Sequence, residues 1–346
     1  MSRGTAIEWT DVTWNPVRGC SRVSEGCRNC YAERFAARFS RDAFRDGMDH
    51  CPAGPFQGFA RNTTNGPRWT GKVALIPEKL AEPLRWRKPR RVFVNSMSDL
   101  FHESLSDRDV AKVFSAMRFA PRHTFQVLTK RPARMLEWFS KCGNGGGLGW
   151  ITHNNTEPEK AYRGTGVIVG ESDRWPLPNV HLGVSVENQA TAELRILDLL
   201  NTPAAVRYVS YEPALALVDF TRLSIVPPKP PYGPGVWLNA LTGHVEGPDD
   251  VLPRLDWLII GGESGPRARP MDLAWARKAV RQAKEAGIPV FVKQLGTAWA
   301  RERGIRWHSQ HAYRWNANRK GGNPSEWPED LRVREFPSSL NDLEKQ

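Results

Sequence analysis

The sequence has no stretch of about eighteen apolar residues, so it predicts no membrane-spanning helix. Its first residues, Met1 to Trp14, lack the apolar core and small-residue cleavage site of a secretory leader, and a cytoplasmic protein is expected. No internal repeat appears at the usual periods, which argues against a solenoid or a propeller. Cysteine is scarce: five residues, unevenly placed, do not make a disulfide framework in a cytoplasmic chain. Acidic residues are the minority charge, 37 against 49 Lys and Arg, which leaves a net charge of +12. An excess spread along the chain favours an anionic partner, nucleic acid (DNA or RNA) before others. A basic but inert surface is the alternative.

What is present is a recurring unit: a short β-branched or apolar run ending in polar residues, then a helical segment. Strands are expected near Val12–Arg18, Arg91–Asn95, Thr124–Leu128, Val180–Val184, Val206–Val209, Trp257–Ile260 and Pro289–Val292. Helices are expected after Cys30, over Asp107–Ala120 with Ser106 or Asp107 as N-cap, and near Pro132–Lys141, Ala190–Leu200 and Leu273–Ala286. Alternation of this kind specifies an α/β fold with a parallel sheet. A doubly wound sheet competes with a TIM-type (β/α) barrel. Polar groups at nearly every strand end favour the barrel, whose working residues come from many strands. The expected organisation is a barrel over 1–297, with insertions near 40–84, 142–178 and 225–253, and a Trp/Arg-rich extension over 298–346 packed onto it. The scattered tryptophans are read as core.

Three of the five cysteines, Cys20, Cys27 and Cys30, fall in one short segment directly before a helical stretch. Thiolates bind iron or zinc, and three of them around a [4Fe–4S] cluster leave one iron open to an outside ligand. A structural zinc usually takes four protein ligands, with His50 or Cys51 as the fourth here, so zinc stays as the alternative. His102 has no partner at metal-ligand spacing and is read as a loop residue.

A cysteine-rich loop after the first barrel strand resembles the radical S-adenosylmethionine (SAM) enzymes. More closely, the chain resembles a phage-associated family of uncharacterised proteins with a three-cysteine motif. The likeness runs through Ile7 to Asn15, Asn95 to Phe101, Leu128 to Arg131, Gly183 to Glu187, Ser210 to Pro213, Gly261 to Gly265 and Trp327 to Pro337. It is distantly similar to spore photoproduct lyase, sharing Gly-Cys…Cys-x2-Cys-Tyr-Ala and a Thr-Lys at the third strand. The pattern departs from the radical SAM one in two places. The first gap between cysteines is six residues rather than three, and Asn29 stands where an aromatic residue usually precedes the last cysteine.

The resemblance implies a partial barrel of the radical SAM kind, a [4Fe–4S] cluster on Cys20, Cys27 and Cys30, SAM chelating the open iron, and an electron donor for the cluster. It also implies residues for SAM. Tyr31 would take the aromatic role, Ser98 and Asp99 the amino group, and Thr129 and Lys130 the carboxylate or a substrate phosphate. Ser185 and Glu187 would meet the ribose or methionine part. Glu212, with Lys130 or Lys293 as its counter-ion, and the turn Gly261, Gly262 and Glu263 would line the same mouth. For each the bland reading is a cap, a surface lysine, a structural ion pair or a simple turn. Cys142 would donate hydrogen or is an incidental thiol. The expected function is a radical SAM enzyme that modifies or repairs nucleic acid. The rival is a non-catalytic nucleic-acid-binding protein stabilised by zinc or a cluster.

Overall fold

The computed structural model describes residues 4–40, 54–141, 175–226, 235–246, 251–304 and 317–338. His50, Cys51, Cys142, Trp307 and Trp315, and most of the 142–178 insertion, lie outside them. The chain divides into two compact units, Thr10–Val180 with Met1–Arg3, and His181–Gln346 with Gly4–Trp9. The boundary falls inside the stretch expected as one barrel. Among the described residues no helix is long and apolar enough to cross a membrane.

The first unit carries three parallel strands, β1 (Val12–Trp14), β6 (Arg91–Val94) and β7 (Thr124–Thr129), in that order. The strand expected over Val12–Arg18 breaks at Asn15-Pro16. Pro16 has no N–H to give a ladder, and the Asn15 side chain turns away to accept from Ser96 Oγ at 3.1 Å and Met97 N at 3.0 Å. Beyond the break, β2 (Val17–Arg18) pairs antiparallel with β5 (Ala74–Leu75). Between them the supposedly irregular region holds a hairpin, β3 (Ala60–Thr63) and β4 (Gly66–Trp69). Its signal was Asn65-Gly66, a turn pair whose glycine takes φ of 91°.

Three helices complete this unit: α1 (Tyr31–Arg38), α2 (Asp107–Arg118) and α3 (Pro132–Lys141). Ser106 caps α2 by accepting from Asp109 N, as its position predicts. Phe114, Trp138, Phe139 and Phe101 stack between α2, α3 and the loop after β6, with Phe114 and Trp138 at 5.0 Å and 18°.

The second unit carries four parallel strands, β8 (Val180–Val186, all but its first residue), β9 (Val206–Tyr211), β12 (Trp257–Gly261) and β13 (Val290–Gln294), in that order. Helices α4 (Gln189–Asn201), α5 (Leu273–Glu285) and α6 (Thr297–Glu302) follow β8, β12 and β13. After β9 the chain makes a hairpin instead, β10 (Leu223–Val226) with β11 (Val236–Leu238). Trp9, Tyr208 and Trp257 form one aromatic cluster, Trp9 lying 6.2 Å from both other rings. The described end of the chain runs along β13: Val333 O accepts from Val292 N and Glu335 N donates to Val290 O, both at 2.8 Å, so the edge of β13 is covered. Trp327 is buried there with its indole N–H on Gly321 O. Both units are mixed α/β with parallel strands.

Candidate metal centre

The register of the second unit decides which side chains share a face. Gly183 pairs with Tyr208, Tyr208 with Trp257, and Ile259 with Phe291. Alternation then puts Ser185, Ser210, Glu212, Gly261 and Lys293 on one side, at the carboxyl ends of their strands. Lys293 Nζ donates to both Glu212 oxygens, at 2.7 and 2.9 Å, and Gln294 Nε2 donates to Oε1 at 3.2 Å. The Glu212–Lys293 pair is therefore one of the two anticipated. Ser185 Oγ donates to Glu212 O. A Cβ on Gly261 would meet the Glu212 carboxyl carbon at 3.2 Å, and one on Gly262 would sit 2.4 Å from Leu295 O, so close packing explains both glycines. Lys320, paired with Glu8 at 2.8 Å, is held below the usual ammonium range by burial and by Lys293.

Glu187 and Glu263 are engaged elsewhere. Glu187 is wholly buried and takes Arg195 Nη1 on both oxygens, at 3.2 and 3.1 Å. Glu263 takes Arg269 through its backbone N–H, Nε and Nη2. A buried carboxylate stays ionised only with such partners.

In the first unit the three free thiols lie on the loop between β2 and α1, each partly exposed. Gly19 starts the loop with φ of 89°, and a Cβ there would stand 1.9 Å from Lys72 O. No side chain fits so close an approach. Cys27 ends a 3-10 turn (Glu25–Cys27), and Cys30 is the N-cap of α1. Burial pushes the Cys20 thiol up to about 12, Asp99 adds to this, Arg131 opposes it, and Cys30 and Cys27 raise it further. Burial likewise raises Cys30, while the amides of Glu33 and Ala32 at the helix start pull it back. The thiols are close enough to feel one another's charge. Among the described residues no group of three His, Cys, Asp or Glu is arranged to hold a metal ion as it stands.

Two buried charges hold this loop, and neither stood out in the sequence. Glu33, on the inner side of α1, takes Arg22 on both oxygens and Trp69 N at 2.9 Å, which joins loop, helix and hairpin. Arg131 donates through Nη2 to Ser21 Oγ at 2.7 Å and Ser21 O at 3.2 Å, through Nε to Glu103 at 2.9 Å, and through Nη1 to Asp99 Oδ2 at 3.3 Å. The same Nη1 stands 4.0 Å from Cys20 Sγ. Asp99 also accepts from Thr129 Oγ1, Phe101 N and Lys130 N. Both its oxygens are thus engaged within the protein.

His102 lies in the loop after β6, as read, and it is buried there. Ser104 N donates to its Nδ1 at 3.1 Å, so in the neutral ring Nε2 carries the proton and donates to Ser21 Oγ at 2.8 Å. Burial, then Arg131, lowers its pKa, which keeps it neutral. Tyr31 OH donates to Ser96 O at 2.6 Å and Ser98 Oγ to Val17 O at 2.9 Å, fastening the loop after β6 to α1 and β2. Lys130 is half-buried, and its backbone N–H donates to Asp99. Cys20, Asp99, Thr129 and Arg131 form one cluster in the first unit. Glu212, Lys293, Ser185 and Gly261 form another in the second.

A family model described as a protein of unknown function, DUF5131, matches residues 4–326. The chain belongs to DUF5131. Its description assigns the family no activity, so the cysteine loop of this DUF5131 protein is read from its own chemistry. No curated protein and no solved structure matches the chain.

Three thiols on one loop are the donor type that an iron–sulfur group or a zinc ion takes. At the start of α1 the amides of Glu33 and Ala32 favour the Cys30 thiolate, against burial, which raises both Cys30 and Cys20. Arg131 was discoverable in principle from period two in the Thr129-Lys-Arg131 run. Thr129 and Arg131 face inward together, and Lys130 lies between them.

Proposed function

We propose that this protein is a radical SAM enzyme on a partial (β/α) barrel, with Cys20, Cys27 and Cys30 holding a [4Fe–4S] cluster and nucleic acid as its substrate. The observation that carries the reading is the loop of three free thiols between β2 and α1, tied down by Arg131 and Glu33. When bound and reduced, such a cluster supplies the electron that cleaves SAM to methionine and a 5′-deoxyadenosyl radical. The chain's own residues position what binds. Arg131 and His102 fix Ser21, next to Cys20. In the second unit Glu212 and Lys293 hold a carboxylate and an ammonium together at the carboxyl ends of their strands. The net charge of +12 supports a polyanionic substrate.

Anaerobic reconstitution tests this. The protein should bind about four irons, and alanine at Cys20, Cys27 or Cys30 should abolish loading while Cys51→Ala and Cys142→Ala retain it. Reduced, loaded protein should release 5′-deoxyadenosine, and Glu212→Ala should depress that release. Stoichiometric zinc without iron-dependent visible absorption would sink the proposal. The six-residue gap between Cys20 and Cys27 favours the second reading, a nucleic-acid-binding protein with a purely structural metal. A loaded, reducible cluster that neither binds nor cleaves SAM would select it.

A further inference from the structure

Helix α1 is amphipathic the wrong way round. Its buried residues are Ala32, Glu33, Ala36 and Ala37, which pack with Phe56, Phe59, Ala60 and Met97. Its aromatic residues face out. Tyr31, Phe35 and Phe39 are 44%, 46% and 39% exposed, and they are all of the exposed aromatic rings among the described residues. Four-residue spacing lines them along one face, and Val23 of the cysteine loop is exposed as well, at 43%. An ordinary surface helix buries its large apolar residues and exposes its small and polar ones. A helix that does the reverse carries a contact face.

The outward charge of α1 itself is positive, and the adjoining loop exposes both Arg28 and Glu25. Arg38 is exposed, with its guanidinium 5.8 Å from the Phe39 ring centroid, Arg34 lies half-buried on the same helix, and Arg28 is exposed on the adjoining loop. The only carboxylate of α1, Glu33, is turned inward and neutralised by Arg22. Aromatic planes alternating with guanidinium groups suit a ligand with flat apolar rings and regularly spaced anions. The Phe35 and Phe39 rings stand 4.6 Å apart, tilted by 44°, and Phe35 meets the Phe56 ring edge-on at 6.2 Å, so the exposed rings form one continuous aromatic ledge. Such a ledge stacks on the open face of a base, which an unpaired strand offers and a duplex does not.

We infer that the Tyr31-Phe35-Phe39 face of α1 is the docking surface for single-stranded nucleic acid, with bases on the rings and phosphates on Arg38 and Arg28. This rests on nucleic acid being the partner. It adds the place and the strand state, next to the thiol loop.

The test is fluorescence anisotropy of the full-length protein with a fluorescein-labelled dT12 strand at several salt concentrations. Phe39→Ala and Phe35→Leu, the latter keeping an apolar contact for Phe56, should each weaken binding roughly five-fold or more. They should leave the dependence on log salt unchanged, and Phe35→Trp should bind at least as well as the native protein. Arg38→Gln should instead lower the salt slope by about 0.7. Heparin should bind the phenylalanine variants and the native protein equally. Native protein that binds dT12 no better than heparin overturns the nucleic-acid reading and this inference together. Native protein that prefers dT12 while both phenylalanine variants match it overturns the inference alone. Variants that keep dT12 affinity but lose reduction by an acidic flavoprotein donor, or lose self-association, would give the face to those partners and overturn it too.

Discussion

Replacing Arg131 by methionine removes a cation that is almost entirely enclosed. The Arg131 and Asp99 side chains are 4% and 7% exposed, and the substitution keeps most of the volume while deleting every donor. Ser21 loses both its contacts to the guanidinium, and Asp99 loses its counter-ion. Removing one member of a buried pair costs about 3–5 kcal/mol. Asp99 keeps three neutral donors, Thr129 Oγ1, Phe101 N and Lys130 N, so the lower end, about 3 kcal/mol, applies here. For a unit of this size each kcal/mol is worth about 2–4 °C, so the transition of the first unit should fall by about 6–12 °C. Glu103→Gln is the control. It touches the same guanidinium, but Glu103 is 63% exposed, and an exposed pair contributes about 1 kcal/mol or less. Calorimetry or circular dichroism on metal-free protein reads both variants. Thiol labelling provides a second measure, because Cys20 should react faster once Ser21 is released. If Arg131→Met melts within about 2 °C of the native protein, or no further below it than Glu103→Gln, Arg131 does not hold the loop.

Gly19→Ala should cost at least about 2 kcal/mol, since a side chain at that φ is strained and its Cβ would collide with Lys72 O. Iron loading should fall even at temperatures where the rest of the chain stays folded, and unaltered loading would refute the argument. Acid should weaken the second unit through His181, which is buried on β8 with neither ring nitrogen hydrogen-bonded and has its pKa lowered to about 4 by burial. Between that value and the ordinary 6.5 the unfolded chain binds a proton that the folded one does not, so stability rises with pH across the window. About 3 kcal/mol should be lost on going from pH 7 to pH 4. Denaturant titrations of His181→Phe should show a flatter profile, and an identical one would sink the assignment.

Among the described residues the sequence reading found all seven parallel strands and the helices that follow them except α6, because period-two and period-3.6 patterns are local. It missed what depends on partners distant in the chain. The break at Asn15-Pro16 is fixed by Ser96 and Met97, and β10–β11 hides in a segment whose proline and glycine content reads as loop. In the site, thiol chemistry is legible from spacing alone. Electrostatic partners are not. Glu212 with Lys293 followed from two strand ends, whereas Glu187 with Arg195 and Glu263 with Arg269 use arginines outside the strands. Lys130 attracted notice because lysine is a familiar ligand for anions. Arg131, one residue on, is the side chain that reaches the cysteine loop.

The contacts that shape the thiol loop all come from later in the chain: Trp69 N and Lys72 O from the hairpin region, and Arg131 from a position 110 residues beyond Ser21. A ribosome adding about 5–20 residues per second takes roughly 5–20 s to cover that distance. For this interval Cys20, Cys27 and Cys30 are exposed on an unshaped segment, open to oxidants and to whatever thiophilic ion is abundant. Under the proposed cluster function, metallation would therefore follow translation rather than accompany it. Slower growth and an iron supply that persists after induction should give a better-loaded protein than rapid synthesis in zinc-rich medium.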